Sequence, residues 1–400
     1  MTITTPVPAL RADIQVHISQ HEGNEILIIH DPDGIADQDI MLEADLLNIL
    51  QMLDGTRTVG EIVKELTESL NAQIDVAQLA MFIRALDDAC LLESENLRQV
   101  RDYLESDVRE PVCLGHSYPA DADELRTFID DIMKSSVADA YPSNAKAIVV
   151  PHIDLRVGPS TYAPPFHAIR DTDFDLVVHI GTSHYGWQDR FILTNKHFTS
   201  PLGTLKTDVA LVDKLRAELP FELTRNDIAH QPEHSLELHH VFLQHLFANR
   251  EFTVLPILVT SFHDLVSKQR NPERDDKVKT FCETLKRVID ESGRKAVYIV
   301  SGDLAHIGKR FGDQWNAEEF LDTLRQEDYE VMDAMVRGKS YEYFTAIANN
   351  HDRRRICGLP PVYTMLQTLN PGKGIALAYE QWNDSPTGSA VSYGSAAWFD

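Results

Sequence analysis

Two imidazoles and one thiol, each on a loop that follows apolar structure, are the side chains in this sequence best suited to chemistry: His152, His184 and Cys357. Gathered in one place, they would hold a metal ion. His152 follows the run Ala147-Ile148-Val149-Val150-Pro151, and His184 follows Leu176-Val177-Val178-His179-Ile180 and the turn Gly181-Thr182-Ser183. Cys357 lies in Arg355-Ile356-Cys357-Gly358-Leu359-Pro360-Pro361. Two histidines and one anionic donor, with positions left open, follow the logic of a facial triad for non-haem iron. A thiolate in place of the carboxylate favours softer ions such as copper or zinc. Singly, a histidine or cysteine at a strand end is more often structural than a ligand, so the argument rests on their shared position.

A third apolar run, Ala296-Val297-Tyr298-Ile299-Val300, leads into Ser301-Gly302-Asp303-Leu304-Ala305-His306. Asp303 is expected to orient the His306 imidazole and raise its basicity, as an acid–base group requires. The densest polar cluster runs from Glu233 to His240. A helix starting near Glu233 would place Glu233, Glu237 and His240 on one face. In that reading Glu233 joins the acid–base candidates or serves as a cap, and His239-His240 are solvated surface. His234 is a candidate for substrate binding, and its spacing from His239 is not that of an HExxH zincin. Asp154, Arg156 and Tyr185 are further candidates for binding substrate, although a salt bridge is the simpler reading of Asp154 and Arg156. Pro360-Pro361 reads as a helix start just after Cys357, and Arg353-Arg354-Arg355 precede it. Both features would favour a thiolate, which leaves a thiol enzyme using Cys357 and His306 as a third reading.

The elements that must position these residues follow from hydrophobic period. Apolar, β-branched runs of four to six residues read as buried strands of a parallel sheet, beyond whose carboxyl ends ligands bind. Helical spacing marks residues 122–133, 208–217, 235–248, 276–292 and 316–336, with closing strands at 375–379 and 389–398. The alternation predicts an α/β fold with a mainly parallel central sheet flanked by helices. Nearer the N-terminus, strand-like segments at 14–19 and 25–29 are joined by His21-Glu22-Gly23-Asn24. A helical run follows through Leu42, Leu46, Leu47, Ile49, Leu50 and Leu53. The capping box Thr58-Val59-Gly60-Glu61 opens a second helix to about Leu70, and Asp75 caps a third that ends near Leu91-Leu92. This is a small α+β unit of winged-helix type over residues 1–100. Residues 96–110 read as a charged connector, with the boundary at 101–110 and the α/β domain over 111–400.

The net charge is −25, and residues 1–100 carry 18 Asp and Glu against 5 Lys and Arg, about half of it. Such charge opposes phosphate contacts, so even a winged helix here does not imply nucleic-acid binding. No apolar stretch approaches the roughly 18 residues that span a bilayer, and residues 1–18 lack a secretory pattern. Four cysteines without a CxxC pair argue against a disulfide framework, so the expected location is the cytoplasm. There is no P-loop, no GxGxxG and no GxSxG elbow.

Several segments occur in the order in which the Memo family carries them. They are Arg109-Glu110-Pro111, Tyr118-Pro119-Ala120-Asp121, Val150-Pro151-His152, Gly181-Thr182-Ser183-His184 and Glu233-His234-Ser235 with Glu237. Leu255-Pro256-Ile257-Leu258-Val259, Ser301-Gly302-Asp303 to His306, Ile356-Cys357-Gly358 and Ser392-Tyr393-Gly394 continue the series. Over residues 109–400 the chain resembles that family, in the bacterial form called protein B of the AmmeMemoRadiSam system. The resemblance implies a fold like that of class III extradiol ring-cleaving dioxygenases. It also implies His152, His184 and Cys357 as ligands of iron or copper, and His306 as the pocket histidine with Asp303 and Glu233 nearby. The chain departs from the family at Tyr185, where many relatives have a second histidine, and at Asp154 and Arg156, which replace small residues. The ring-cleaving enzymes use a carboxylate where Cys357 stands. Residues 14–95, with Leu53-Asp54-Gly55-Thr56-Arg57-Thr58-Val59 and Ala89-Cys90-Leu91-Leu92, resemble the small peptide-chaperone domain of PqqD type. Two functions are therefore expected. One is a metal-binding, oxidoreductase-type protein. The other is a non-catalytic accessory protein that binds a peptide or partner, with a radical-SAM enzyme as its associate.

Overall fold

In the computed structural model, which describes residues 5–21, 23–36, 39–71, 73–137, 141–186, 189–223 and 226–399, the chain divides into units over Met1–Ser106 and Asp107–Asp400. The first unit holds an antiparallel sheet of β1 (Gln15–His21), β2 (Asn24–His30) and β3 (Ile40–Glu43). His21 pairs with Asn24, while Glu22 of the expected turn lies outside the described residues. Four helices follow: α1 (Leu47–Met52), α2 (Val59–Leu70), α3 (Val76–Asp88) and α4 (Glu95–Glu105). The Thr58 hydroxyl accepts from the Glu61 backbone N–H, and the Glu61 carboxylate accepts from Thr58 N–H at 2.8 Å, which closes the capping box. Asp75 caps α3 through Ala77 N–H.

Two expectations for this unit change. Leu42 belongs to β3, and the helix counted from it starts only at Leu47, after a 3-10 turn over Ala44–Leu46. The connector expected at 96–110 is largely α4, capped by Ser94, with Leu97, Val100 and Tyr103 buried at spacings of three. Those three buried side chains make an apolar stripe on a helix whose remaining positions, Leu104 apart, are charged or polar.

The second unit runs, in chain order, through β4 (Val108–Arg109), α5 (Ala122–Met133), β5 (Ala147–Val150), α6 (Pro159–Ala168) and β6 (Leu176–Thr182). Next come β7 (Phe191–Leu193), β8 (His197–Ser200), β9 (Gly203–Leu205), α7 (Val209–Glu218), α8 (Glu237–Leu246) and β10 (Thr253–Val259). Then follow α9 (His263–Ser267), α10 (Asp276–Ser292), β11 (Ala296–Ser301), β12 (His306–Gly308), α11 (Leu321–Val336) and α12 (Ser340–Ala348). The last elements are α13 (Leu359–Leu369), β13 (Ile375–Asp384) and β14 (Ser389–Trp398). The main sheet has the order β12-β14-β5-β11-β6-β10-β7, with β13 on β14. Its centre, β5-β11-β6-β10, is parallel, and both margins are antiparallel. The fold is thus mixed α/β.

Alternation along the central strands makes two apolar faces. Val149, Val178, Ile180 and Val300 pack toward α7, α10 and α13, while Ile148, Val150, Val177 and Ile299 pack toward α5, α6 and α8. Burying each such side chain stabilises by about 1.5–3 kcal/mol. The amino-acid pattern does not anticipate α6, since Pro164 and Pro165 read as breakers. Its side chains are buried at seven of ten positions, so packing holds the turn that the prolines weaken. Among the described residues no helix is long and apolar enough to cross a membrane.

Candidate metal centre

Strands β5, β11 and β6 are adjacent and parallel, so the residues just past their carboxyl ends meet. These bring His152, Asp303 and His184 to one place. Cys357 comes from elsewhere, on the loop before α13, through a contact that only glycine permits. A Cβ on Gly302 would lie 2.4 Å from the Gly358 Cα, and Gly358 N–H donates to the Asp303 carbonyl at 3.0 Å. The Thr182 hydroxyl donates to the Cys357 carbonyl at 2.8 Å, tying the same loop to β6. Cys357 Sγ then stands 3.3 Å from His152 Nε2.

Proton positions follow from the bonding partners. The Ser301 hydroxyl donates to the Ser235 carbonyl at 2.5 Å, so toward His152 Nδ1, 3.0 Å away, it is an acceptor. His152 therefore carries its proton on Nδ1 and turns an Nε2 lone pair to Cys357. His184 Nδ1 donates to Glu233 Oε1 at 3.0 Å, leaving Nε2 outward. The second Glu233 oxygen accepts from His184 N–H at 2.7 Å, while Oε1 also takes His234 and Ser235 N–H. His306 Nδ1 donates to the Arg355 carbonyl at 3.0 Å. Each of the three histidines is thus held through Nδ1, the arrangement that presents Nε2 to an ion.

Burial keeps His152 neutral, its pKa far below the usual value, with His184 and His234 adding to the effect. Burial also works against charge on His184, but Glu233 outweighs it and raises that pKa. Glu233 itself, despite burial, is drawn down to about 2 by His184. Asp303 is pushed up to about 7 by burial, even with the His152 and Ile153 N–H groups donating to it. Among the described residues two sets of donor atoms lie close enough to share an ion: His152, His184 and His234, and His152, Asp303 and Cys357; His152 joins the two, and His184 and Cys357 fall in different sets. The ring centroids of His184 and His234 stack 5.0 Å apart. Neutral imidazoles, a carboxyl group and a thiol converging without a fixed cation among them fit a transition metal.

Several expected roles shift. Asp303 does not orient His306; it holds the backbone of His152 and lies 3.8 Å from that ring's Nε2. His306 is braced by a backbone carbonyl, falls in neither donor set, and is pushed down to about 4 by burial. The Cys357 thiol is driven up rather than down, first by burial and then by Asp303. The three arginines do not reach it: Arg353 pairs with Glu327, Arg354 with Asp328, and Arg355 with Asp313. The pairing of Cys357 with His306 expected for a thiol enzyme is not seen: the imidazole hydrogen-bonded to Cys357 is His152. Iodoacetamide is expected to label metal-free Cys357 at pH 7.5 more slowly than an ordinary exposed thiol, read by intact-mass spectrometry.

The segment from Glu233 to His240 is not one helix. It enters as an extended loop and α8 begins at Glu237, so Glu233 points to the site while Glu237 points away. The buried Glu237 carboxylate pairs with Arg109 and accepts from the Tyr118 hydroxyl at 2.6 Å and from Val112 and Cys113 N–H. Arg109 also donates to the carbonyls of Glu233 and His230, fixing the loop that carries Glu233 and His234. His239 and His240, expected on the surface, are buried. Asp154 and Arg156 form a bidentate pair near 2.9 Å, and Tyr185 is exposed. Ser301, Ser235 and Arg109 stand in the segments that carry the family resemblance, but their types and spacing alone do not mark them as supports of the site.

Comparisons with known proteins identify the family. A family model described as Memo-like protein matches residues 109–397, which contain every residue of the centre. A MEMO1 family protein of Aquifex aeolicus is 29% identical over 380 residues, covering 93% of this chain and 96% of the relative. A MEMO1 family protein of Thermus thermophilus is 28% identical over 346 residues, covering 85% and 98%. A Protein memo-1 homolog of Caenorhabditis elegans is 24% identical over 271 residues, covering 64% and 73%. With the family model spanning well over half of its length, and the histidine, carboxyl and thiol donors all inside the match, the chain belongs to the Memo-like family.

Proposed function

We propose that this protein binds a transition-metal ion through His152, His184 and Cys357, and that the ion is iron or copper. The observation that carries the reading is the common presentation of Nε2 by His152 and His184 with the Cys357 thiol 3.3 Å from the first. The Cys357 proton, shared with His152 in the free protein, is the one an ion would displace. A bound ion of either kind would supply one-electron chemistry, in keeping with an oxidoreductase-type activity related to the extradiol dioxygenases. Glu233 keeps His184 oriented, and Asp303 holds the His152 backbone. His306, neutral near pH 7, is placed to accept a proton at Nε2, and His234 borders the open side where a substrate would enter.

Elemental analysis of anaerobically purified, untagged protein tests this. Near-stoichiometric iron or copper in the wild type, lost in His152→Ala, His184→Ala and Cys357→Ser, is the expected result. Equal metal content in all four proteins rejects it.

A second reading belongs to the first unit. Val16 and Ile18 of β1 share a face with the buried Ile29 and Leu27 of β2, yet are 36% and 55% exposed. Among the described residues β1 pairs with β2 alone. An uncovered apolar face beside a free strand edge suits an added peptide strand, in keeping with a PqqD-like accessory domain of winged-helix type and a radical-SAM associate. Failure of the full chain to retain peptides or such a partner, under conditions where metal is bound, would leave the metal-centre reading alone.

A further inference from the structure

Three imidazoles lie in the apolar layer between the sheet and α8, where Ile148, Val177, Ile299 and Phe242 are their neighbours in the core. His179 comes from the middle of β6, and His239 and His240 from the first turn of α8. All three are within 2% of complete burial. They form one hydrogen-bonded line: His240 Nε2 to His179 Nδ1 at 3.0 Å, His179 Nε2 to His239 Nδ1 at 3.1 Å, and His239 Nε2 to the Pro151 carbonyl at 2.7 Å.

Only one proton arrangement satisfies that line. A carbonyl can only accept, so His239 carries its proton on Nε2 and has a bare Nδ1. His179 must then donate from Nε2, and His240 likewise. The line ends at His240 Nδ1, a buried lone pair with no partner among the described residues. Every proton points toward Pro151, and bonds aligned in this way reinforce one another. Apolar side chains would fill the same layer but leave the Pro151 carbonyl without its donor, so the imidazoles do more than pack.

Their further role lies at the end of the line. The Pro151–His152 peptide has its carbonyl held by His239 and its N–H held by Asp303 Oδ1 at 2.9 Å. A peptide plane fixed at both poles fixes the position of the His152 Cα, the point from which the ring is carried toward Ser301 and Cys357. We propose that His239, backed by His179 and His240, is a positioning residue that clamps this peptide opposite Asp303 and so aims His152 at the metal position. The inference rests on the proposed metal centre for its purpose but not for its geometry.

The test uses the full chain labelled with 15N-histidine. In metal-free wild type, long-range 1H–15N spectra are expected to show His179, His239 and His240 as Nε2–H tautomers and His152 as Nδ1–H. His239→Leu is expected to stay folded by near-ultraviolet circular dichroism but to move the His152 ring resonances. It should also weaken Co2+ binding by about 10–100-fold, the usual effect of losing an outer support, and alter the Co2+ absorption bands. His239→Gln, whose amide can donate to Pro151, should recover much of the affinity. If His239→Leu does not fold, His179→Leu, which leaves His239 Nδ1 without a donor, is read in the same way. A folded variant with unchanged His152 resonances overturns the proposal. Wild type that takes up no Co2+ would sink the metal centre instead, and the resonances would still decide the clamp.

Discussion

Between pH 7 and pH 4.5 the Memo-like unit is expected to lose several kcal/mol of stability and to unfold. The cause is a set of four histidines, His179, His230, His239 and His240, that are all but completely buried. Burial holds His230 and His239 down to about 4, and His179 and His240 well below their ordinary value. In the unfolded chain each titrates near 6.5. Below about 6.5 the unfolded state therefore takes up protons that the folded state refuses. Stability falls with pH at about 1.4 kcal/mol per unit for each group, and is fully retained above that range. Asp303, pushed up by burial to about 7, and Asp328 and Asp352, pushed up to about 6, act in the opposite sense, because their folded forms keep a proton that the unfolded chain gives up; His184, raised by Glu233, acts with them. His152 and His306 are held down by burial as well, so the groups that lose stability outnumber those that gain it. Glu233, drawn down to about 2, adds its own loss only below the ordinary carboxyl range and so outside this window. Urea midpoints measured from pH 8 to pH 4.5 check the expectation, and a midpoint flat from pH 7.5 to pH 5 would reject it.

Replacing Arg109 by Met is expected to cost about 3–5 kcal/mol, the range for breaking a buried ion pair from one side. The Glu237 carboxylate would stay inside with its charge uncompensated, although Tyr118, Val112 and Cys113 would still donate to it. The companion variant Arg109→Met/Glu237→Leu removes both charges and should recover most of the loss, which urea unfolding at pH 7.5 would show. Recovery of stability should not restore the site. Arg109 also holds the Glu233 carbonyl, so the double variant is expected to bind metal more weakly than wild type. A single variant within about 1 kcal/mol of wild type would show that the pair carries little of the fold.

Much of this arrangement is legible in the amino-acid sequence. Four residues of unbroken aliphatic character, Ala147 to Val150, name β5 to the residue, and the period of α10 and the Thr58 capping box are equally plain. His152, His184 and Cys357 stand out because each follows apolar structure. What escapes is whatever depends on a distant partner. His239-His240 look like solvated surface until His179, sixty residues from His239, is placed beneath them. A histidine in the middle of an aliphatic strand is the available signal, since such a residue must find a polar neighbour inside. Cys357 misleads for the same reason in reverse. Three adjacent arginines suggest a cationic setting, yet each finds its own carboxylate and the thiol is left among buried, acid-bearing neighbours. Asp303 lies nearer to His306 in sequence and serves the farther His152, because β5 and β11 are adjacent in space.

The meeting of Gly302 with Gly358 has a consequence for the order of events during synthesis. Cys357 is joined to the chain 205 positions after His152. β5 then lacks its neighbour on one side until Ser389–Trp398 has been made. At about 5–20 residues per second the earlier histidines wait for tens of seconds as a partial set. The first unit can fold during that interval, but the donor set cannot close. In the proposed centre metal loading is therefore a late step, and a chain cut short before Cys357 would lack that donor together with β14, the neighbour of the strand that leads to His152.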